Sequence, residues 1–378
     1  MRHGFKVEMA FLVLFLHLFV GECFSQSGRT VKIAVVFSKT GIASMEGVAC
    51  FEAVRFAVDK VNADGGVLGR KIVVSEIDNK SMPVGAKQAA VEAVNEDVVA
   101  VVGASWSSHS LAMAPIFQEA GIPMVSPTST NPKLTLAGDY IFRVCFTDPF
   151  QGKVMSEFAQ RRLHAKTAVI IRDISSDYSV GLANFFKIHF SDSGMTVLSE
   201  VDYMGADISI DEALESILVL KPDVIFIPGH EKDSASVMSK CREKGIESVF
   251  LGADGWSARM YKLSDGIEGS YFSTYWHRSV PFSKSKLFLE DYKRRFNKEV
   301  IPEIALVYDA VMVLCDAIKR AGSVDRSKIR DAIASTTGFD GVTGQITIGK
   351  NGDPVNKDAV ILKFEGKKSI FITTIKPE

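Results

Sequence analysis

The sequence predicts an α/β protein of two Rossmann-like lobes, each built on a parallel sheet. Three observations carry that expectation. Strand-like and helix-like runs alternate through the first third of the chain, and the same alternation starts again after a break. The third is length: 378 residues exceed what one hydrophobic core ordinarily supports.

The elements follow in order. "TVKIAVVFS" is an apolar strand ending at Ser38. "GVACFEAVRFAVDKVNADGG" repeats apolar residues at helical spacing and stops at Gly65-Gly66, residues suited to a helix end. "RKIVVSEID" is a second strand, "PVGAKQAAVEAVNED" a helix opened by proline, and "VVAVVGAS" a third strand. "SHSLAMAPIFQEAG" is the third helix and "IPMVSP" the fourth strand. Successive βα units require a parallel sheet with helices on both faces. "TAVIIRD", "MTVLSEVDYM", "DVIFIPG" and "SVFLGADG" are the strands of the second lobe. Between them lie the helices "YSVGLANFFKIHFSDSG", "DEALESILVLKP" and "SASVMSKCREKG". Two further helices, "SKSKLFLEDYKRRFNK" and "EIALVYDAVMVLCDAIKRAG", precede a β-rich tail in which Gly352-Asp353 is the expected hairpin turn.

The N-terminus reads as an export signal over residues 1–25. "MRHGFKVEM" is basic, about twelve nearly continuous apolar residues follow, and "ECFSQSG" turns small and polar. Cleavage after Ser25 and soluble release outside the cytoplasm is favoured over a lipid anchor at Cys23, because Glu22 stands where that signal wants a small residue. No later run approaches the ~18 apolar residues of a membrane helix. A formal charge of −1 argues against nucleic acid as a partner, which needs a concentrated basic surface. Cys50, Cys145, Cys241 and Cys315 are spaced too widely to form a recognisable disulfide framework and read as buried thiols.

Ligands of open parallel sheets bind outside the carboxyl ends of the strands, so candidate site residues are those just past strands. "GASWSSHS" offers Ser107 or Ser108 at a helix start, where hydroxyls and unpaired N–H groups cradle an anion. "SPTSTNP" offers Thr128, Ser129 and Thr130. The second lobe offers Asp254 in "FLGADGWS", His230 and Glu231 in "DVIFIPGHEKD", and Tyr178 in "SSDYSVG". Each residue taken alone also fits a plain cap or turn. "HEKDS" lacks the second histidine of a zinc protease, and the chain carries no nucleophile elbow or phosphate-binding loop. An enzyme, a metal and a cofactor are therefore not expected.

The chain resembles the periplasmic leucine/isoleucine/valine-binding proteins, the type I solute-binding components of ABC importers. "AVDKVNADGGVLGRKI", "APIFQEAGIPMVSPTSTNPKLT", "IFRVCFTDPFQG" and "YDAVMVLCDAIKRAG" carry the resemblance. It implies that Ser107 and Thr130 hold the ligand's carboxylate. The Thr128 carbonyl and Asp254 would take its ammonium, and Tyr178 would flank it. Glu46 and His230 stand where the family has pocket aromatics, so a branched aliphatic side chain is an uneasy fit. Trp106 and Trp256 either supply the missing wall or belong to the core. The resemblance also implies a monomer that closes by a three-strand hinge and delivers its solute to a permease in the inner membrane. Its lobes would be 28–147 with 279–339, and 148–278 with 340–378, crossing near Phe146–Pro149, His277–Ser279 and Gly338–Gly344. The alternative role is the ligand-binding part of a sensor for amino acids, amides or aromatic and aliphatic carboxylates.

Overall fold

The computed structural model describes residues 30–355 and 357–377; the export signal expected over 1–25 lies outside the described residues. The first sheet is wholly parallel, in the order β2-β1-β3-β4-β5. Its strands are β1 (Thr30–Phe37), β2 (Lys71–Asp78), β3 (Val101–Gly103), β4 (Met124–Ser126) and β5 (Ile141–Arg143). The central strands are short and apolar throughout, as expected where helices cover both faces. On one face α2 (Pro83–Asn95) and α3 (Ser107–Glu119) bury Ala86, Ala90, Met113 and Phe117. On the other, α1 (Ser44–Ala63) buries Cys50, Phe51 and Val54.

The second sheet runs β7-β6-β8-β9-β10 in parallel. Its strands are β6 (Thr167–Asp173), β7 (Thr196–Tyr203), β8 (Val224–Phe226), β9 (Val249–Gly252) and β10 (Tyr271–Thr274). Around it pack α4 (Asp148–Leu163), α5 (Asp177–Asp192), α6 (Asp211–Leu220) and α7 (Glu231–Glu243). The chain then returns to the first lobe as α8 (Ser283–Phe296), α9 (Pro302–Ala321) and α10 (Arg326–Ala334). Lys60 meets Asp291 at 2.7 Å, and Arg326 donates to the Val98 carbonyl at 3.0 Å.

The tail departs from expectation. After the short hairpin β11 (Phe339–Gly341) and β12 (Gly344–Ile346), the chain stays on the first lobe. Arg143 bonds Asp353 at 2.6 Å, its N–H reaches the Gly352 carbonyl at 3.1 Å, and Thr135 donates to Asp353 at 2.9 Å. Residue 340 is therefore not the lobe boundary. The third crossing lies between Asp353 and β13 (Ala359–Glu365), which joins the second sheet antiparallel to β10. Gly352-Asp353 does lie in a tight antiparallel reversal, in which Ile348 bridges Pro354 and the Gly349 N–H donates to the Asp353 carbonyl at 2.7 Å. A second turn, Gly366-Lys367, with φ 59° and 61°, joins β13 to β14 (Lys368–Ile375). Positive φ at both central residues matches the right-handed twist of the strands. The other crossings are 144–147 and 275–282. All four cysteines named above are buried and free.

Candidate ligand-binding site

A cavity of about 480 Å³ lies where the carboxyl ends of the two sheets face each other. Ser107, Ser108 and Thr128 line it from the first lobe, and Tyr178, His230 and Asp254 from the second.

The first-lobe wall is the start of α3 laid against the loop after β4. Asn131 N–H donates to Ser107 Oγ at 3.3 Å, which ties loop to helix and leaves the serine's own proton free to donate. Thr130 is fully buried next to this bond and does not reach the cavity surface. Its hydroxyl has no hydrogen-bond partner among the described residues. Behind it Asp148 is buried and also unpartnered, and burial pushes its carboxyl up to about 8. At neutral pH it is mostly uncharged, a tolerable neighbour for a second carboxylate. Ser129, expected at the cleft, is instead turned inward. Its hydroxyl bonds the Ala104 and Ser105 carbonyls and Ser110 Oγ, because a buried hydroxyl must find partners and the α3 turn supplies them.

The loop is held from behind by a residue that the sequence did not single out. Arg143 is completely buried and donates to the Ser129 carbonyl at 2.6 Å and the Asn131 carbonyl at 2.8 Å, with Asp353 balancing its charge. Its place in the quoted "IFRVCF" run was the available signal: an arginine inside an apolar strand must be paired.

Asp254 follows β9 and carries the second-lobe chemistry. Gly255 N–H donates to the Tyr178 hydroxyl at 3.1 Å, and that hydroxyl donates to Asp254 Oδ1 at 3.0 Å. Only glycine fits at 255, since a Cβ there would lie 2.5 Å from the Gly229 carbonyl oxygen. Tyr275, in the second crossing, was not foreseen. Its hydroxyl lies 2.6 Å from the Thr128 carbonyl and within hydrogen-bonding reach of Asp254 Oδ2. One phenol proton cannot serve both oxygens, so a second donor belongs between them. Burial raises Asp254 to about 6, although hydrogen bonds from Tyr275 and Tyr178 pull the other way.

The lobes touch around this site. Asp177 N–H donates to Ser108 Oγ at 3.1 Å, and Asn131 Nδ2 donates to the Asp177 carbonyl at 2.9 Å. The Trp106 and His230 rings stack with centroids 3.8 Å apart, and Tyr178 lies 5.3 Å beyond. Burial lowers His230 to about 4, so the imidazole in this stack is neutral.

Beyond the clamp the cavity is charged. Trp106 Nε1 donates to Glu46 Oε2 at 3.1 Å. Arg259 pairs with Glu231 at 2.9 Å. Glu303, from the start of α9, also lines the cavity. Burial raises Glu303 to about 8, and Glu46 adds to it. Burial works against the Arg259 charge, but Glu303, Glu231 and Glu46 outweigh it and its pKa rises. Neither Arg259 nor Glu303 was foreseen, since neither follows a strand directly. Trp256 is not part of this wall. It is buried against Phe272 and Phe364 and covers Gly252, because the chain turns its indole back under the second sheet.

Two α/β lobes meeting over one cavity, with hydroxyl donors on one side and a carboxylate on the other, define a solute-binding protein that closes on its ligand. The chain belongs to the periplasmic binding protein family, whose model matches residues 30–368. Its fold is similar to that of the leucine-binding protein LivK of Thermotoga maritima: 37% identity, TM-score 0.87, covering 92% of this chain and 99% of the other. It is similar also to LivJ of Streptococcus pneumoniae, solved with isoleucine: 30% identity, TM-score 0.86, covering 92% and 100%. A leucine-, isoleucine-, valine-, threonine- and alanine-binding protein of Pseudomonas aeruginosa is 24% identical over 355 residues, 93% of this chain and 94% of the relative. Family membership implies work outside the cytoplasm, with a small molecule as ligand.

Proposed function

We propose that the protein is the extracytoplasmic solute-binding component of an ABC importer, that it closes its two lobes over one α-amino acid, and that it presents the closed form, as a monomer, to a permease in the inner membrane. The convergence of the Thr128 carbonyl and Asp254 on the Tyr275 hydroxyl carries this reading. An ammonium group is the donor that such a set of acceptors calls for. Ser107, with the N–H groups at the start of α3, holds the carboxylate at the other end of the same Cα, and Thr130 stands buried behind it rather than on the cavity surface. Relatives named for leucine, isoleucine and valine support the amino-acid class.

Closure follows from where the groups sit. The carboxylate is taken by the first lobe, and the ammonium bridges to Asp254 on the second, so the ligand adds an attraction that the closed form alone enjoys. Hydrogen bonds to charged groups contribute about 1.5–3 kcal/mol each. Four or five of them sum to about 6–15 kcal/mol, and above the low end of that range they exceed the roughly 8 kcal/mol of micromolar binding and leave a margin for ordering the lobes.

A thermal-shift screen of the refolded protein tests this, with α-amino acids set against the same acids lacking the amine. Stabilisation by α-amino acids alone, lost in Asp254→Ala, is the expected result. Equal stabilisation by amine-free acids, untouched by that substitution, would mean that only a carboxylate is recognised.

A further inference from the structure

The clamp of the proposed reading needs one carboxylate, Asp254. The cavity is lined by six, Glu46, Asp173, Glu231, Asp233, Asp254 and Glu303, against Lys232 and Arg259. Both lining histidines, His109 and His230, are lowered to about 4 by burial and add no positive charge at neutral pH. A zwitterion with an apolar side chain has no use for the other five carboxylates.

Within that set the pairing is uneven. Arg259 is committed to Glu231, which also accepts from the Ser257 hydroxyl. Glu46 accepts from the Trp106 indole at 3.1 Å, with the Ser105 hydroxyl also acting on it. Glu303 is 7% exposed, and its Oε2 has no hydrogen-bond partner among the described residues. The charged and titratable groups that act on it are Glu46 on α1, Glu231 on α7 and Arg259 in the turn after β9; Cys50 on α1 lies close by. Arg259 is the one cation among them, and it does not come within ion-pair distance of Glu303.

We propose that the end of the cavity formed by Glu303 and Glu46, with Trp106 as its wall, receives a cationic side chain, so that the solute is a basic α-amino acid carrying an ammonium or guanidinium group. This inference rests on the amino-acid reading above and adds the side-chain class to it. An aliphatic group packed there would strip water from two carboxylates and return no donor to either. A cation brings donors and offsets the excess charge, and carboxylate-lined walls of low dielectric concentrate cations before contact. A guanidinium has the further option of presenting two N–H groups to one carboxylate. The raised pKa of Glu303 fits the same picture: a buried acid without a partner favours its proton, and a bound cation displaces it.

Isothermal titration of the refolded, unaltered protein tests this with pairs that share the clamp and differ in distal charge: L-arginine against L-citrulline, and L-lysine against L-norleucine. The expected result is at least tenfold tighter binding of one cationic member than of its neutral partner. That margin should shrink at least fivefold in Glu303→Gln and in Glu46→Gln. Leucine or norleucine binding as tightly as, or more tightly than, both cationic ligands would overturn the acidic subsite and leave the amino-acid reading standing. Agmatine or cadaverine binding as tightly as arginine or lysine would keep the subsite and overturn the amino-acid reading. Binding by none of these ligands would overturn both. The isostere comparison needs no variant, so a substitution that fails to fold does not decide the outcome.

Discussion

At the clamp end of the cavity the one lining carboxylate, Asp254, is held by the hydroxyls of Tyr178 and Tyr275, and the facing loop is fastened by Arg143. At the far end Glu303 has an oxygen with no partner among the described residues, and Glu46 is held by the Trp106 indole and the Ser105 hydroxyl. The contrast separates two tasks. On the proposed reading, a prearranged polar cradle recognises what all α-amino acids share, and its groups are oriented before the ligand arrives. An under-paired charged end leaves its strongest interaction to the ligand, and that is where choice among side chains is made. The relatives named for aliphatic amino acids bear on the first task, whereas Glu46 and Glu303 bear on the second.

The largest expected effect breaks the clamp from behind. Arg143→Met removes a wholly buried cation, leaves two loop carbonyls without their donor and leaves Asp353 with only the neutral donors Thr135 and Asn351. Losing one member of such a buried pair costs about 3–5 kcal/mol, readable as a lowered urea midpoint. A stability within 1 kcal/mol of the parent, by the same ~1 kcal/mol scale of surface changes, would show that the loop stands without its buttress.

Next comes Asp254→Asn, which should cost about 1.5–3 kcal/mol of binding, roughly ten- to a hundredfold, for every amino acid that binds. The free protein should be no less stable than the parent, because a carboxyl raised by burial is relieved of its desolvation. Uniform loss across side chains, measured by titration, is what separates this end of the cavity from the far end. A loss confined to one side-chain class would merge the two.

A change of pH distinguishes the ends without mutation. The folded-state pKa of Asp254 is raised to about 6 from 3.8, so the folded protein holds this proton more tightly than the unfolded chain. Its contribution to the free protein's stability is present at low pH and is lost as pH rises from about 4 through 6. Ligand affinity runs the other way, since the ammonium needs the ionised form. Below pH 6 affinity should fall about tenfold per unit, one proton being taken up for each ligand lost. At the far end Glu303 titrates near 8, so discrimination between cationic and neutral side chains should keep growing between pH 6 and 8 after overall affinity has levelled. Titrations at pH 5, 6, 7 and 8 read both trends, and a single shared midpoint would collapse the distinction.

The clamp was more legible in the sequence than the far end, for a physical reason. Ser107, Thr128, Thr130 and Asp254 follow strands directly, and a strand end followed by a helix start is a local pattern readable within ten residues or so. Most of the fold was legible the same way, the equally short β3, β4, β8 and β9 included, because they lie in apolar runs; β5 carries Arg143 and β10 carries Ser273 and Thr274, so neither shows such a run. Glu303 sits on a helix that returns to the first lobe after the whole second lobe is built, and Arg259 on a short 3₁₀ turn. Only the closed chain brings them beside Glu46. Ser129 and Trp256 failed in the opposite sense. They sit in the right local pattern but point away from the cavity, which alternation along a loop cannot reveal.

The smallest effect concerns how the two lobes are latched. Asn131 is the loop residue that touches both: its N–H fixes Ser107 on its own lobe, and its side-chain amide reaches the Asp177 carbonyl at the start of α5 on the other. Asn131→Ala keeps the first bond and removes the second, together with the local bond that Asn131 Oδ1 accepts from the Lys133 N–H, leaving Ser108–Asp177 and the Trp106–His230 stack to hold the lobes together. A neutral hydrogen bond of this kind is worth about 1 kcal/mol, so affinity should fall about fivefold. The loss should appear mainly as faster dissociation, because the first lobe still receives the carboxylate unchanged. It should also be nearly the same for cationic and neutral side chains, since the latch belongs to the clamp end. Stopped-flow release monitored by Trp106 fluorescence measures it. An unchanged off-rate with a slower on-rate would place Asn131 in first capture, and the latch would then reside in the ring stack of Trp106 on His230.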